Sequence, residues 1–170
     1  DSVDVNMKAK VAIVTGGSRG LGRSMALNLA KKGIDVILTY NSNKVAAEAV
    51  VAEIESGKRK AVAMQLDVSK SHTFGQFSQD IKTVLKQKGK REQFNFLVNN
   101  AGIGINAPLA EITEAQFDEL MNIQLKGPFF LTQNLLPLIA DGGRIINIST
   151  GLTRFTLPGY GVYATMKGGI

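Results

Sequence analysis

The feature that most constrains this chain is a regular alternation of short, continuously apolar runs with stretches of helical spacing. Val11–Thr15 is a compact apolar strand ending at a glycine turn, and Asp35–Tyr40 (DVILTY) is a second strand. Ala61–Leu66 is a third, closed by Asp67; Phe94–Val98 and Arg144–Ile148 follow. Between them Leu21–Lys32 has helical periodicity and stops at Gly33, and Asn43–Ser56 stops at Gly57. Phe74, Phe77, Ile81, Val84 and Leu85 keep helical spacing up to a capping Gly89. Thr113 to about Ala140 reads as one long helix entered through a Thr113–Gln116 capping box. Strands that are apolar throughout are buried on both faces, and helices between them supply the cover. The predicted fold class is therefore α/β: a doubly wound parallel sheet in a three-layer sandwich.

Composition narrows the chemistry. The 170 residues suffice for one domain with a sizeable core. With no cysteine and a single His72, disulfides, a catalytic thiol, thiolate metal sites and histidine-rich metal sites are excluded, so no metal is expected. No apolar run approaches the length of a membrane span, and no membrane partner is expected. Residues 1–7 hold no apolar stretch and read as a flexible tail rather than a secretion signal, which accords with a cytoplasmic protein. The net charge of +6 is concentrated partly at Lys82, Lys86, Lys88, Lys90 and Arg91. A nucleic-acid patch and the solvated end of a helix both explain such a cluster. The second is preferred, because cations suit a helix C-terminus and no aromatic residues interleave them for base stacking, so no nucleic-acid partner is expected.

The turn after the first strand reads TGGSRGLG, Thr15–Gly22. A phosphate bound there needs backbone N–H groups that no side chain blocks, and the following helix N-terminus supplies them together with a favourable dipole. Gly16 permits the tight turn; Gly20 and Gly22 let the backbone approach a pyrophosphate and let the helix pack on the sheet. Ser18, Arg19 and Leu21 complete the loop. The end of the second strand distinguishes NAD from NADP. An acid there, about 20 residues past the glycines, would bind a ribose 2′-OH. This chain instead has Thr39-Tyr40-Asn41-Ser42-Asn43-Lys44. Asn41 and Ser42 offer donors, Lys44 is nearby, and Arg19 can pair with a 2′-phosphate. The cofactor indicated is NADP(H).

Five segments, in order and on the expected elements, resemble the classical short-chain dehydrogenase/reductase family. They are the glycine turn, Asp67-Val68, Asn99-Asn-Ala-Gly102, Ile145-Ile-Asn-Ile-Ser-Thr150 and Tyr163-Ala-Thr-Met-Lys167. The stretch Leu125–Gln133 (LKGPFFLTQ) adds to them. The resemblance implies a Rossmann-type domain over residues 8–170 that carries both cofactor and catalytic residues. It implies that Asp67 and Val68 hold the adenine, and that Asn99, Ala101 and Gly102 line the ribose path. It implies Tyr163 as the acid–base group and Lys167 as its partner at the nicotinamide ribose. A phenol titrates near a pKa of about 10, and a lysine at i+4 lies on the same helix face and lowers that value. Tyr160 lacks such a partner, because residue 164 is Ala.

Two positions depart from the family pattern. The serine expected 13 residues before the tyrosine is Thr150, which keeps the hydroxyl on a stiffer side chain, with Ser149 next to it. The asparagine expected three residues before Gly127 is Gln124, which carries the same amide on a longer stem toward a proton-relay water. Asn122 stands about 200° round the helix and is expected to face elsewhere. A helix is expected to begin near Tyr160, and the sequence stops at Ile170 without a cap or a returning strand. The family's C-terminal strands and substrate lid are thus expected to be missing. Phe155, Leu157 and Pro158 are candidates for an apolar substrate wall. The function implied is hydride transfer between nicotinamide and a small-molecule carbonyl or alcohol, in a homo-oligomer; the alternative is a nucleotide-binding protein without turnover.

Overall fold

The computed structural model describes residues 8–102 and 109–148. Five strands form one sheet: β1 (Val11–Val14), β2 (Asp35–Tyr40), β3 (Ala61–Gln65), β4 (Phe94–Asn99) and β5 (Ile139–Asn147). Their spatial order is β3-β2-β1-β4-β5, and each adjacent pair is parallel. Helices α1 (Gly20–Lys31), α2 (Lys44–Ser56) and α3 (Phe74–Gly89) connect the first four strands. The strand order reverses between β1 and β4, where a doubly wound sheet opens its ligand crevice.

Period-two alternation along the strands divides the core into two layers. Ile13, Ile37 and Leu97 face one side and pack with Phe74, Phe77, Ile81, Leu131 and Leu135. Their neighbours Val14, Val36, Leu38 and Val98 face the other side and pack with Ala26, Ala30, Ala47, Val50 and Ile54. Both faces of β1 and β2 are covered, which is why β1 is apolar throughout, β2 has the apolar centre Val36–Leu38, and both strands are nearly all buried. The small residues Gly22, Ala26 and Ala30 are what α1 buries.

The expected single helix from Thr113 to Ala140 is corrected by the structure. The capping box is present: Gln116 N–H donates to Thr113 Oγ1 at 3.2 Å, and Thr113 N–H donates to Gln116 Oε1 at 3.0 Å. From there the chain forms α4 (Glu114–Met121), a π turn (Asn122–Lys126), α5 (Gly127–Leu135) and a 3-10 turn (Leu136–Leu138). Pro128 has no N–H to give the Gln124 carbonyl, so a regular α-helix cannot run through this point, and the π turn takes up the slip. Pro137 lies in the closing turn, and Ile139 already pairs with Phe94. The fifth strand therefore begins five residues earlier than Arg144, through a register irregularity between Phe94 and Phe96, with Gly142 at φ 77°. The third helix also runs one residue further than expected: Gly89 is helical, and Lys90 takes the left-handed conformation, φ 50°.

Thr113→Ala removes the cap of α4 and is expected to cost about 1 kcal/mol. The midpoint of urea unfolding should fall without a change in slope.

Candidate functional site

A cleft of about 440 Å³ opens over the C-terminal ends of the strands. Each wall is the first few residues after a strand: Gly16 and Ser18–Gly20 after β1, Thr39–Asn43 at the end of β2, Leu66–Val68 after β3, and Asn100–Gly102 after β4. Ile123, in the π turn, forms part of the floor.

The glycine turn is shaped for close approach. Gly16 (φ 63°) and Gly20 (φ 55°) both take left-handed conformations. A methyl on Gly20 would meet nothing within 4 Å, so the space above it is open. A methyl on Gly22 would lie 2.1 Å from the Gly16 carbonyl oxygen and 2.4 Å from Asn100 Nδ2, so α1 reaches the turn only as glycine. The N-cap of α1 is Arg19, extended and without a side-chain cap, and the first turn carries no acid. Its amide groups and dipole are thus left for an anion.

The loop after β4 is tied to this turn through one buried hydroxyl. Thr15 Oγ1 accepts the N–H of Asn100 and of Ala101, both at 3.0 Å, and donates to the Val98 carbonyl at 3.3 Å. Asn100 Nδ2 donates to the carbonyls of Thr15 (3.2 Å) and Gly16 (3.3 Å). From the other side Thr39 Oγ1 accepts the Gly16 N–H at 3.2 Å. On the wall after β3, Asp67 Oδ1 accepts from Ser69 N–H (3.0 Å) and Ser69 Oγ (2.6 Å), while Lys70 Nζ stands 3.9 Å from Oδ2. The carboxylate is held in one orientation with Oδ2 beside a cation.

Of the residues singled out by sequence, Gly16, Ser18, Arg19, Gly20, Asn41, Ser42, Asp67, Val68, Ala101 and Gly102 share this cleft. Leu21 is exposed beside it, and Gly22 packs beneath it. Asn99 is buried behind it: its Nδ2 donates to Asn147 Oδ1 (2.9 Å) and Thr132 Oγ1 (3.1 Å), joining β4, β5 and α5. Gln124 is fully buried with its amide against Gly102, whereas Asn122 is only half-buried. Ser149, Thr150, Phe155, Leu157, Pro158, Tyr160, Tyr163 and Lys167 lie outside the described residues, as do residues 1–7. Sequence reasoning missed Thr15 as a hub, the side chain of Asn100 as a tie, and Leu66 and Ile123 as cleft residues. Thr15 is the first residue of the glycine motif, but its partners lie 83–86 residues away, and no local pattern announces them. Among the described residues no cluster of metal-ligating side chains is found, and no helix is long and apolar enough to cross a membrane. Of the basic cluster at the α3 end, Arg91 has a structural partner: it pairs with Asp35 at 3.5 Å.

The profile described as short chain dehydrogenase matches residues 10–170. The chain is 35% identical, over 95% of its length, to the tetrahydroxynaphthalene reductase PfmaG of Pestalotiopsis fici. It is also 35% identical, over 96% of its length, to an uncharacterized oxidoreductase of Methylorubrum extorquens. It spans 56% and 64% of the length of these two proteins. Among solved structures, the angucycline C-6 ketoreductase LanV with bound NADP is similar at a TM-score of 0.90 and 35% identity, over 94% of this chain and 62% of that one. A blue fluorescent protein from a metagenomic library, in complex with NADPH, is similar at 0.84 and 38%, over 96% and 65%. With the profile covering nearly the whole sequence and the sheet order and glycine turn in agreement with it, the chain belongs to the short-chain dehydrogenase family.

Proposed function

We propose that this chain forms the cofactor-binding part of an NADP(H)-dependent oxidoreductase that reduces a small-molecule ketone to an alcohol. The observation that carries the reading is the cleft itself. An uncapped helix N-terminus behind two left-handed glycines offers a phosphate seat, and Arg19 and the acid-free Asn41–Ser42 segment share the same space. A volume of about 440 Å³ lies within the usual range of small-molecule sites. The NADP-bound ketoreductase and the reductase among the similar proteins support both the cofactor and the direction.

In this reading the Gly16–Gly22 turn would hold the pyrophosphate, and Arg19, Asn41 and Ser42 would hold the 2′-phosphate. Asp67 and Val68 would flank the adenine and Ala101 and Gly102 the ribose path, with Asn99 behind them tying β4 to β5 and α5. When bound, the reduced dinucleotide would supply the hydride. Tyr163 donates the proton to the carbonyl oxygen, and Thr150 holds that oxygen by a hydrogen bond where negative charge develops. Lys167 favours the phenolate that remains and grips the ribose. Gln124 replaces the usual asparagine of the proton relay, and this one feature favours the second reading, a nucleotide-binding protein without turnover. We further assign the protein to the cytoplasm and to a homo-oligomer; the outward Phe129 (64% exposed) and Leu136 (56% exposed) of α5 and the turn after it fit a self-association face.

NADPH is expected to bind more tightly than NADH, because an acid that would repel the 2′-phosphate is missing after Tyr40. Arg19→Ala removes one charge-assisted contact and should weaken NADPH by about tenfold while leaving NADH within about twofold. Titrations that follow nicotinamide fluorescence test both expectations, and equal affinities in the wild type would count against the NADP assignment.

A further inference from the structure

The π turn of Asn122–Lys126 bears on both walls of the cleft. On one side is Gly127, whose N–H donates to the Asn122 carbonyl and closes the turn. A methyl on Gly127 would lie 2.3 Å from the Val68 carbonyl oxygen, 3.2 Å from the Val68 carbonyl carbon and 2.8 Å from the Asn122 carbonyl oxygen. All three are backbone atoms, so the start of α5 sits directly on the loop that follows β3. On the other side is the Gln124 amide. A methyl on Gly102 would lie 2.5 Å from its Nε2, 2.7 Å from its Oε1 and 3.0 Å from its Cδ. Gln124 is 0% exposed, so this amide cannot swing into solvent to make room. Ile123, in the same turn, lines the cleft. Val68 and Gly102 both line the cleft, from opposite loops.

We propose that this π turn is the seat that sets the spacing of the two cleft walls, with Gly127 positioning the Val68 loop and Gln124 positioning the Gly102 loop. The proposal rests on the dinucleotide reading for its consequence in binding, but its geometry does not depend on a bound ligand. An extra residue in the helical turn offsets α5 from α4, and Pro128 stops the segment from relaxing into a regular α-helix. A longer amide at residue 124 then fills the space under Gly102. Gln124 acts here through Gly102 and is a positioning residue, whatever it also does for a relay water.

The test uses Gly127→Ala and Gln124→Ala with two readouts. The first is hydrogen exchange of the ligand-free protein. Ser69 and Lys70 N–H bond to Asp67, and Asn100 and Ala101 N–H bond to Thr15, so these amides report the two walls separately. Gly127→Ala is expected to speed exchange at Ser69 and Lys70 alone, and Gln124→Ala at Asn100 and Ala101 alone. The second readout is affinity for NADPH and for adenosine 2′,5′-bisphosphate. Gly127→Ala should weaken both by about tenfold, because the loop after β3 serves the adenosine half. Gln124→Ala should weaken NADPH by about tenfold and leave the bisphosphate within about twofold. Unchanged local exchange in both variants, or equal loss for both ligands in both variants, overturns the proposal. Wild-type protein that binds neither ligand overturns the dinucleotide reading, and the exchange data still decide the seat. If Gly127→Ala does not fold, Gln124→Ala decides it alone.

Discussion

Tyr163→Phe is expected to lower the rate of ketone reduction by about 10²–10⁴-fold, the usual effect of losing one proton-transfer group. The substitution removes only the phenolic oxygen, so NADPH affinity should stay nearly unchanged. That split separates the role assigned to Tyr163 from a structural one. Lys167→Ala should impair both properties, since its ammonium is assigned to the ribose as well as to the phenol. The assay belongs in the whole protein, because the chain spans only 56–64% of its curated relatives. A Tyr163→Phe variant that retains more than about a tenth of the rate would move the proton-donor role to the Thr150 hydroxyl or favour the binding-only reading.

Gly22→Ala is expected to be the most damaging single methyl at the cleft. The added carbon would lie 2.1 Å from the Gly16 carbonyl oxygen and 2.4 Å from Asn100 Nδ2. Neither atom can retreat cheaply. The Gly16 carbonyl belongs to the left-handed turn, and Asn100 Nδ2 already bonds to that carbonyl and to Thr15. Overpacking against backbone at such a point costs about 3 kcal/mol. For a chain of this size the Tm should fall by about 6–12 °C. Because α1 must also back away from the turn, NADPH affinity should fall with it. A Gly22→Ala protein with wild-type Tm and affinity would show that α1 does not need this close approach.

The sheet was legible because burial on both faces leaves a mark: β1 is apolar throughout and runs into the glycine turn, and β2 has an apolar centre, Val36–Leu38. The glycine turn was legible because left-handed backbone and bare N–H groups require a residue type that composition alone seldom clusters. The Thr113–Gln116 capping box was legible because both of its bonds are local in sequence. What the sequence hid was non-local or depended on a backbone irregularity. The apolar periodicity from Leu120 to Leu135 looks continuous, since a π turn shifts phase by a single residue, and only Pro128 marks the break. The expected start of the fifth strand at Arg144 missed Ile139–Gly143, because pairing with β4 carries the strand through Gly142 and Gly143 with a register irregularity. The hub at Thr15 joins residues about 85 positions apart, and a lone threonine after an apolar run gives no hint of three partners. The packing of Gln124 on Gly102 needed the π turn before it could be seen. Thr150, Tyr163 and Lys167 are the reverse case: motif spacing picks them out, and they lie outside the described residues.

The central claim is that the cleft over the strand ends binds NADP(H) through the glycine turn. A crystal structure of the protein with NADPH tests it most directly. The account predicts the pyrophosphate over Gly16–Gly22 at the N-terminus of α1, with the 2′-phosphate beside Arg19, Asn41 and Ser42. A dinucleotide bound elsewhere, or seated here with its 2′-phosphate turned away from Arg19, would contradict it.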